Sequence, residues 1–421
     1  ALGAGLKGQG VTIGFVDSGV NRSHPTLSGR VTRNFIHVSS PPNDTSVDDK
    51  VGHGTTVASL AAGKPATGYY YNQDGTLSTQ SGTWGGGVAQ DANVVSSRII
   101  GDARPDDDGS GEGNEIRAGE GYGEFFQAIN AELASAGAKI INNSWGGLYW
   151  NDPALSIELA NAWKDFVVNR GGIVVFANGN SGNDPRYVGN PSDNAALPSI
   201  ANDPVLEKGW LTVGALDPAN PTQLTSYSQQ CGIAMNYCLV APGNVNFIDP
   251  DATSTANSGL LRGGGTSYAA PMVSGVCSLL ASVRPDLNQE QALTLLAAGA
   301  GDQLGDAPGR SSGDGTDTPG WDQYHGWGRL NAYFSLLLAT TSIDQVNPLP
   351  DGRLELSWTS PINASTNQPY RVELATPLDG TWTRVTNGTF RYEGCRTWWT
   401  EPEPVPAANV NRFYRVLVAL E

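Results

Sequence analysis

The sequence is poor in positive charge. Its 421 residues carry 25 lysines and arginines against 41 aspartates and glutamates, a formal net charge of −16. A chain of that sign lacks the basic face that phosphate backbones and anionic lipid surfaces require, which excludes nucleic acid as a partner. Long apolar runs are missing as well. No segment approaches 18 consecutive apolar residues, so no membrane span is expected. The first residues, ALGAGLKGQG, have neither the basic start nor the apolar stretch of a signal peptide. They fit a cytosolic chain or a mature form whose leader has been removed.

Cysteine is scarce: Cys231, Cys238, Cys277 and Cys395 are all there is. Cys231 and Cys238 bracket the segment CGIAMNYC, without the CxxC spacing or the neighbouring ligands of a metal site. A loop-closing disulfide is preferred to two free thiols, stabilising by about 2–3 kcal/mol and implying an oxidising compartment. Cys277 falls in an apolar helical pattern and reads as a buried small hydrophobe, while Cys395 has no evident partner.

What is present is enough for a core. Hydrophobic residues make up 39% of the chain, which excludes disorder, and the length suits one large domain plus a small one. Near-continuous runs at 11–16, 92–100, 138–145, 172–178 and 209–216 alternate with helical patterns at 54–63, 124–137 and 154–171. That alternation predicts an α/β fold over 1–340, a mostly parallel sheet covered by helices on both faces. After Thr341 the period changes to two, in RLELSW, YRVELA, TWTRV and RFYRVLVAL. A small antiparallel, β-sandwich-like domain is predicted over 345–421, with its four tryptophans (Trp358, Trp382, Trp398, Trp399) read as core rather than ligand platform. Segments 69–87, 100–123 and 183–204 read as long polar loops. The run Asp106-Asp107-Asp108 matches no EF-hand spacing and reads as a solvated loop.

One stretch is odd. In GGGTSYAAPMVSG, residues 263–275, three glycines run into a small-residue helix with Ser267 at the junction. A helix start leaves backbone N–H groups unpaired at a positive dipole end. A serine there can attack a carbonyl, and its own N–H can stabilise the resulting oxyanion; the plain alternative is an N-cap serine. Pro271 is expected in the first turn, where its missing N–H breaks no helical bond. The nucleophile needs a base, and the chain has only four histidines. His53, in VGHGTTVASLAAG, is flanked by glycines that permit close approach, whereas His24, His37 and His325 read as structural. Asp17 ends the first buried run, where open parallel sheets gather their catalytic groups, and is the candidate orienting carboxylate.

The order Asp17, His53, Ser267 is the order of subtilisin, not that of chymotrypsin or the α/β-hydrolases. The words VDSGV, GHGTTVASLAAG, NNSWGG, ANGNSG and GTSYAAPMVSG stand in family order, and the first 340 residues resemble the subtilisin-like serine proteases, the subtilases. The resemblance implies a secreted endopeptidase acting on polypeptides through an Asp17–His53–Ser267 triad and an acyl-enzyme. It implies that Asn180 joins the Ser267 N–H in the oxyanion hole. Loss of such a donor costs about 10²–10³ in kcat, a magnitude that comes from subtilisin itself. It implies that Ser144-Trp145-Gly146 pairs with the substrate backbone, and that Ala177-Asn178-Gly179 forms the other wall of the first specificity pocket. Val188-Gly189-Asn190-Pro191 would close its floor. Gly189 leaves that pocket roomy, with large apolar residues expected before the scissile bond. Gly109-Ser110-Gly111 resembles the opposite rim strand.

The chemistry requires no cofactor. The tyrosine-rich insert after the His53 helix replaces a familiar calcium site, and a structural calcium ion is assigned to no residues. The segments LEKGWLTVGALD (206–217) and SYSQQCGIAMNYCLVAPG (226–243) resemble subtilases carried by bacterial autotransporters, so secretion or display at the cell surface is expected, as a monomer after removal of a propeptide. The alternative is a catalytically retired subtilase fold that only binds.

Overall fold

The computed structural model describes residues 5–103, 116–183, 189–254, 258–301, 322–359, 370–376, 381–393, 396–405 and 412–418. The run Asp106-Asp107-Asp108, the Gly109-Ser110-Gly111 rim, Val188 and Cys395 lie outside the described residues.

The Val/Ile runs form strands buried on both faces, as a parallel sheet demands. In Thr12–Asp17 every residue after Thr12 is buried, and Ile173–Ala177 is buried throughout. The sheet order is Asn220–Leu224, Trp210–Asp217, Ile173–Ala177, Ala138–Asn143, Thr12–Asp17, Asn93–Arg98, Val31–Ile36, with Cys238–Pro242 also pairing Trp210–Asp217. All pairings are parallel except that of the edge strand Asn220–Leu224. From Thr12–Asp17 the chain builds first toward Val31–Ile36 and Asn93–Arg98, then on the opposite side toward Ala138–Asn143 and beyond. Thr12–Asp17 is therefore the topological switch strand, and the crevice beyond its carboxyl end is where such sheets bind ligands. Asp17 occupies that end.

Side-chain alternation divides the helices between the faces. On one face Val16, Ile141, Val174 and Phe176 join Phe126, Leu159, Trp163 and Trp210 in a core beneath helices Tyr122–Ser135 and Pro153–Lys164. On the other, Asn142 turns toward helix Thr266–Val283, which packs beside helix His53–Ala62. Thr266–Val283 is the one helix among the described residues long and apolar enough to cross a membrane by composition, and it is mostly buried inside the fold.

Several expectations change, and helix Leu197–Ile200 falls in the segment 183–204 read as a loop. Part of the segment read as a polar loop over 69–87 belongs to a hairpin of Ala66–Tyr71 and Leu77–Trp84. It extends a second sheet in the order Asn244–Ile248, Ser258–Gly264, Ala66–Tyr71, Leu77–Trp84. Gly68 and Gly82 lie against Leu260, so small residues here serve sheet packing rather than looseness. The domain boundary also moves. The chain divides into Lys7–Leu330 and a unit of Asn331–Glu421 with Ala1–Leu6. Helix Ala332–Thr340, expected in the larger domain, packs Leu337 against Leu356, Trp358, Tyr370, Val372 and Trp399 of the smaller.

The smaller unit carries two antiparallel sheets. One has the order Gln345–Pro348, Leu354–Thr359, Arg396–Thr400, Thr389–Glu393; the other, Thr383–Arg384, Tyr370–Ala375, Phe413–Val418. Trp358 and Trp399 are fully buried core residues. Trp398 and Trp382 lie outside that core, each under a guanidinium: Arg391 at 3.8 Å and Arg415 at 4.4 Å.

Candidate active site

The Asp17 side chain is 1% exposed. Its Oδ1 accepts from the Ser18 N–H at 2.7 Å and from His53 Nδ1 at 2.8 Å. His53 opens its helix with its ring 30% exposed. The helix can sit this close because Gly54 has no side chain: a Cβ there would lie 2.1 Å from the Gly19 carbonyl and 3.1 Å from Asp17 Cβ. An Nδ1–H bonded to a carboxylate leaves Nε2 as the basic nitrogen.

A second carboxylate stands behind the pair. Asp49 accepts from Ser18 Oγ at 3.0 Å, Gly52 N–H at 2.8 Å, Thr55 N–H at 2.9 Å and Thr55 Oγ1 at 2.6 Å. Ser18 Oγ in turn accepts from the Gly54 N–H at 2.9 Å. Asp49 thus ties the start of the His53 helix to the exit of the Asp17 strand. Burial pulls the His53 pKa down, but the charge and hydrogen bond of Asp17, aided by the charge of Asp49, outweigh it and hold the imidazole above its ordinary value.

Ser267 is the second residue of its helix, so its N–H has no intrahelical acceptor. The next side chain, Tyr268, stacks on the His53 ring with centroids 6.1 Å apart. Asn180 reaches the same helix start. Its Oδ1 accepts from both the N–H and the Oγ1 of Thr266 at 2.9 Å, which turns its amide NH₂ outward. Gly265 leaves the intervening space open: a Cβ would sit 3.5 Å from Asn180 Nδ2 and 3.6 Å from the Ser267 nitrogen. Two donors therefore border one unobstructed spot, the arrangement that stabilises an oxyanion.

Pro271 is the sixth residue of the helix and not in its first turn, contrary to expectation. Its missing N–H would have bonded the carbonyl of Ser267, four residues back. Ser144 Oγ donates to that carbonyl at 2.8 Å instead. Ser144 is held by Asn142 Nδ2 at 2.9 Å, whose Oδ1 accepts from Ser274 Oγ at 2.8 Å further along the helix. The Ser144 side chain is thus turned into the fold and supports the Ser267 backbone.

The segments expected to form the first specificity pocket do converge. The Ser192 N–H bonds the Asn178 carbonyl at 2.7 Å, and the missing Cβ of Gly146 points at Ser192 Oγ, 3.8 Å away. The side chains of Ser144, Ala177 and Asn178 are buried, however. Asn178 holds the Gln229 and Gln230 carbonyls at 3.3 and 3.2 Å and accepts from Thr212. That leaves Trp145, Gly146, Gly179 and Gly189 to face solvent or a ligand. A cavity of about 890 Å³ borders Trp145 and Gly146 as well, lined also by His53, Ile99, Tyr122, Phe125, Phe126 and Leu148 among others.

Cys231 and Cys238 form a disulfide with Cα atoms 5.7 Å apart. Cys277 is a buried free thiol, pushed up to about 12 by burial. Among the described residues no group of three or more His, Cys, Asp or Glu is placed to hold a metal ion. The other histidines are tied into the fold: His24 to Thr26 and the Asp249 carbonyl, His37 to Glu132, His325 to Asp322. Sequence reasoning missed Asp49, Thr266 and Asn142. Asp49 had a faint signal, an acidic residue four positions before a histidine that opens a helix; Asn142 and Thr266 stood inside the words NNSWGG and GTSYAAPMVSG with nothing to mark their roles.

The profile of the subtilase family matches residues 8–328. Thermitase of Thermoactinomyces vulgaris is 29% identical over 329 residues, 78% of this chain and 88% of its own. The extracellular serine protease of Serratia marcescens is 25% identical over 397 residues, 79% of this chain but only 32% of its own. The fold is shared with the crystal structure of fervidolysin from Fervidobacterium pennivorans, at 21% identity and a TM-score of 0.53, over 98% of this chain and 58% of that one. A family profile spanning most of the chain, on a sheet whose switch strand ends in Asp17, leaves one conclusion: the chain belongs to the subtilase family and is a serine endopeptidase.

Proposed function

We propose that this chain is a secreted endopeptidase whose triad is Asp17, His53 and Ser267. His53 Nε2 takes the Ser267 proton as Oγ attacks the scissile carbonyl, and Asp17 holds the imidazole through Nδ1 and stabilises the imidazolium. The Asn180 amide and the Ser267 N–H receive the oxyanion. His53 returns its proton to the leaving amine, and water then cleaves the acyl-enzyme. The observation that carries the reading is the 2.8 Å bond from His53 Nδ1 to Asp17 Oδ1, with Tyr268 stacked on the same imidazole at the start of the Ser267 helix. The apolar cavity beside Trp145 supports a preference for large apolar side chains on the acyl side of the scissile bond. Secretion is supported by the disulfide and by the extracellular Serratia relative. Removal of a propeptide during maturation belongs to the same reading.

The unmodified chain should react with a fluorophosphonate and cleave casein, and Ser267→Ala should abolish both. Full activity in Ser267→Ala would overturn the assignment. An intact chain that never reacts would favour the retired, binding-only alternative.

A further inference from the structure

Behind the residues that face a substrate, one buried amide touches two separate parts of the site. Gln229 is 3% exposed and lies just before the disulfide-closed segment Cys231–Cys238. Its backbone N–H donates to the Gly179 carbonyl at 3.0 Å. Its Oε1 accepts from the Ser181 N–H at 3.4 Å, so the turn carrying Asn180 is gripped on both sides. Its Nε2 donates to the Asn190 carbonyl at 3.1 Å, in the segment expected to close the first specificity pocket. Gly179 makes room for the amide: it adopts φ +115°, and a Cβ there would sit 2.0 Å from Gln229 Oε1. Gln229 is itself anchored, because Asn178 Nδ2 and Ser228 Oγ donate to its carbonyl at 3.3 and 3.0 Å.

We propose that Gln229 is a positioning residue that sets the oxyanion turn and the specificity segment relative to one another. This rests on Asn180 and Ser267 acting as proposed above. A side-chain amide is suited to the task because it offers one acceptor and one donor on a rigid plane, pointing opposite ways. Its acceptor fixes the turn Gly179–Ser181, hence where the Asn180 amide lies beside Gly265. Its donor fixes Asn190, hence the width of the pocket between Gly146 and Gly189. Gln229 touches no reacting atom and works entirely through these two backbones.

The two ends separate by substitution. Gln229→Met keeps the length and loses both bonds. Gln229→Glu keeps the acceptor toward Ser181 but sets a second acceptor against the Asn190 carbonyl. Steady-state rates on a peptide series varied at the residue before the scissile bond are measured per site titrated with a fluorophosphonate, so unfolded protein does not enter. Titration of the parent chain also verifies the Ser267 reading before Gln229 is tested.

Gln229→Met should lower kcat at least ~10-fold, the scale on which small misplacements act. In an Asn180→Ala background the same change should cost less than about 3-fold, because residues that work through one another lose rate non-additively. Gln229→Glu should keep kcat within about 3-fold while flattening the discrimination between large and small side chains. Equal losses from Gln229→Met in both backgrounds would overturn the proposal. If that variant yields no titratable sites, Gln229→Glu decides: a broad loss of kcat with unchanged selectivity overturns it.

Discussion

Asp49, the carboxylate behind the proposed triad, is the residue whose removal says most about the proposed base. His53 is pulled down by burial and held above its ordinary value by Asp17 and, more weakly, Asp49. A general base works only when neutral, so the acid limb of kcat/KM should follow His53 and lie above the ordinary histidine value of about 6.5. Stability runs the other way. A raised folded pKa means the imidazolium is favoured in the fold, so this contribution is complete below the unfolded pKa and is lost as pH rises through the folded one. Activity thus appears over the window in which that small stabilisation disappears. Gly52 and Thr55 bond different oxygens of Asp49, so Asp49→Asn keeps an acceptor for one of them only, and it removes a negative charge near His53. The acid limb should move to lower pH, read from a pH–rate profile on titrated enzyme; an unmoved limb would deny Asp49 an electrostatic role. Why Asp49 was only faintly legible while Asp17, His53, Ser267 and Asn180 were plain is a matter of neighbours. Each of those four stands among glycines or small residues that close packing forces into a recognisable word, as Gly54 and Gly265 show. Asp49 grips Gly52 and Thr55 a few residues on and Ser18 Oγ across the site, and Gln229 acts through backbone atoms of distant segments, which places no such constraint on the residues beside them.

At the level of elements, the serine helix is set by a bond that is missing. Pro271 deprives the Ser267 carbonyl of its helical donor, and the side chain of Ser144 replaces it from the end of the neighbouring strand. Ser144→Ala would leave that carbonyl without a donor in a largely buried place, a loss of about 1–3 kcal/mol. Measured by denaturant unfolding in a Ser267→Ala background, where self-digestion cannot interfere, the midpoint should fall with an unchanged m-value. An unaltered midpoint would mean water satisfies the carbonyl and Ser144 is dispensable to the helix start. The same logic explains which elements could be read in advance. The buried strands announced themselves by Val and Ile on both faces. The hairpin Ala66–Tyr71 with Leu77–Trp84 did not, because most of its second strand is exposed and its sequence LSTQSGTW has no apolar alternation. Pairing partners at 244–264 made it a sheet, and no local pattern encodes a partner so far along the chain.

For the whole molecule, the decisive fact is where one unit stops. The larger unit closes on its own C-terminal segment: Arg329 bridges to Val240 and Gly301, and the Leu330 N–H bonds the Val240 carbonyl at 2.8 Å. The next helix, Ala332–Thr340, belongs to the other unit, with Leu336 and Leu337 fully buried. The change from helical to alternating period near Thr341 marked a change of pattern, not the boundary, because a helix that docks on a sheet reads like any other helix. Cutting at the visible change of pattern strands that helix. A chain of residues 7–344 would expose Leu337, about 1.5–3 kcal/mol of lost burial, with Tyr333 and Phe334 beside it, as an apolar patch open to association. A chain of residues 7–330 ends with the Leu330 N–H bonded to Val240 and lacks that helix altogether. On size exclusion at matched concentration the shorter chain should elute as a monomer and react fully with a fluorophosphonate, while the longer one self-associates. If the longer chain is the better behaved, helix Ala332–Thr340 serves the catalytic unit after all, and the division of the molecule falls near residue 340.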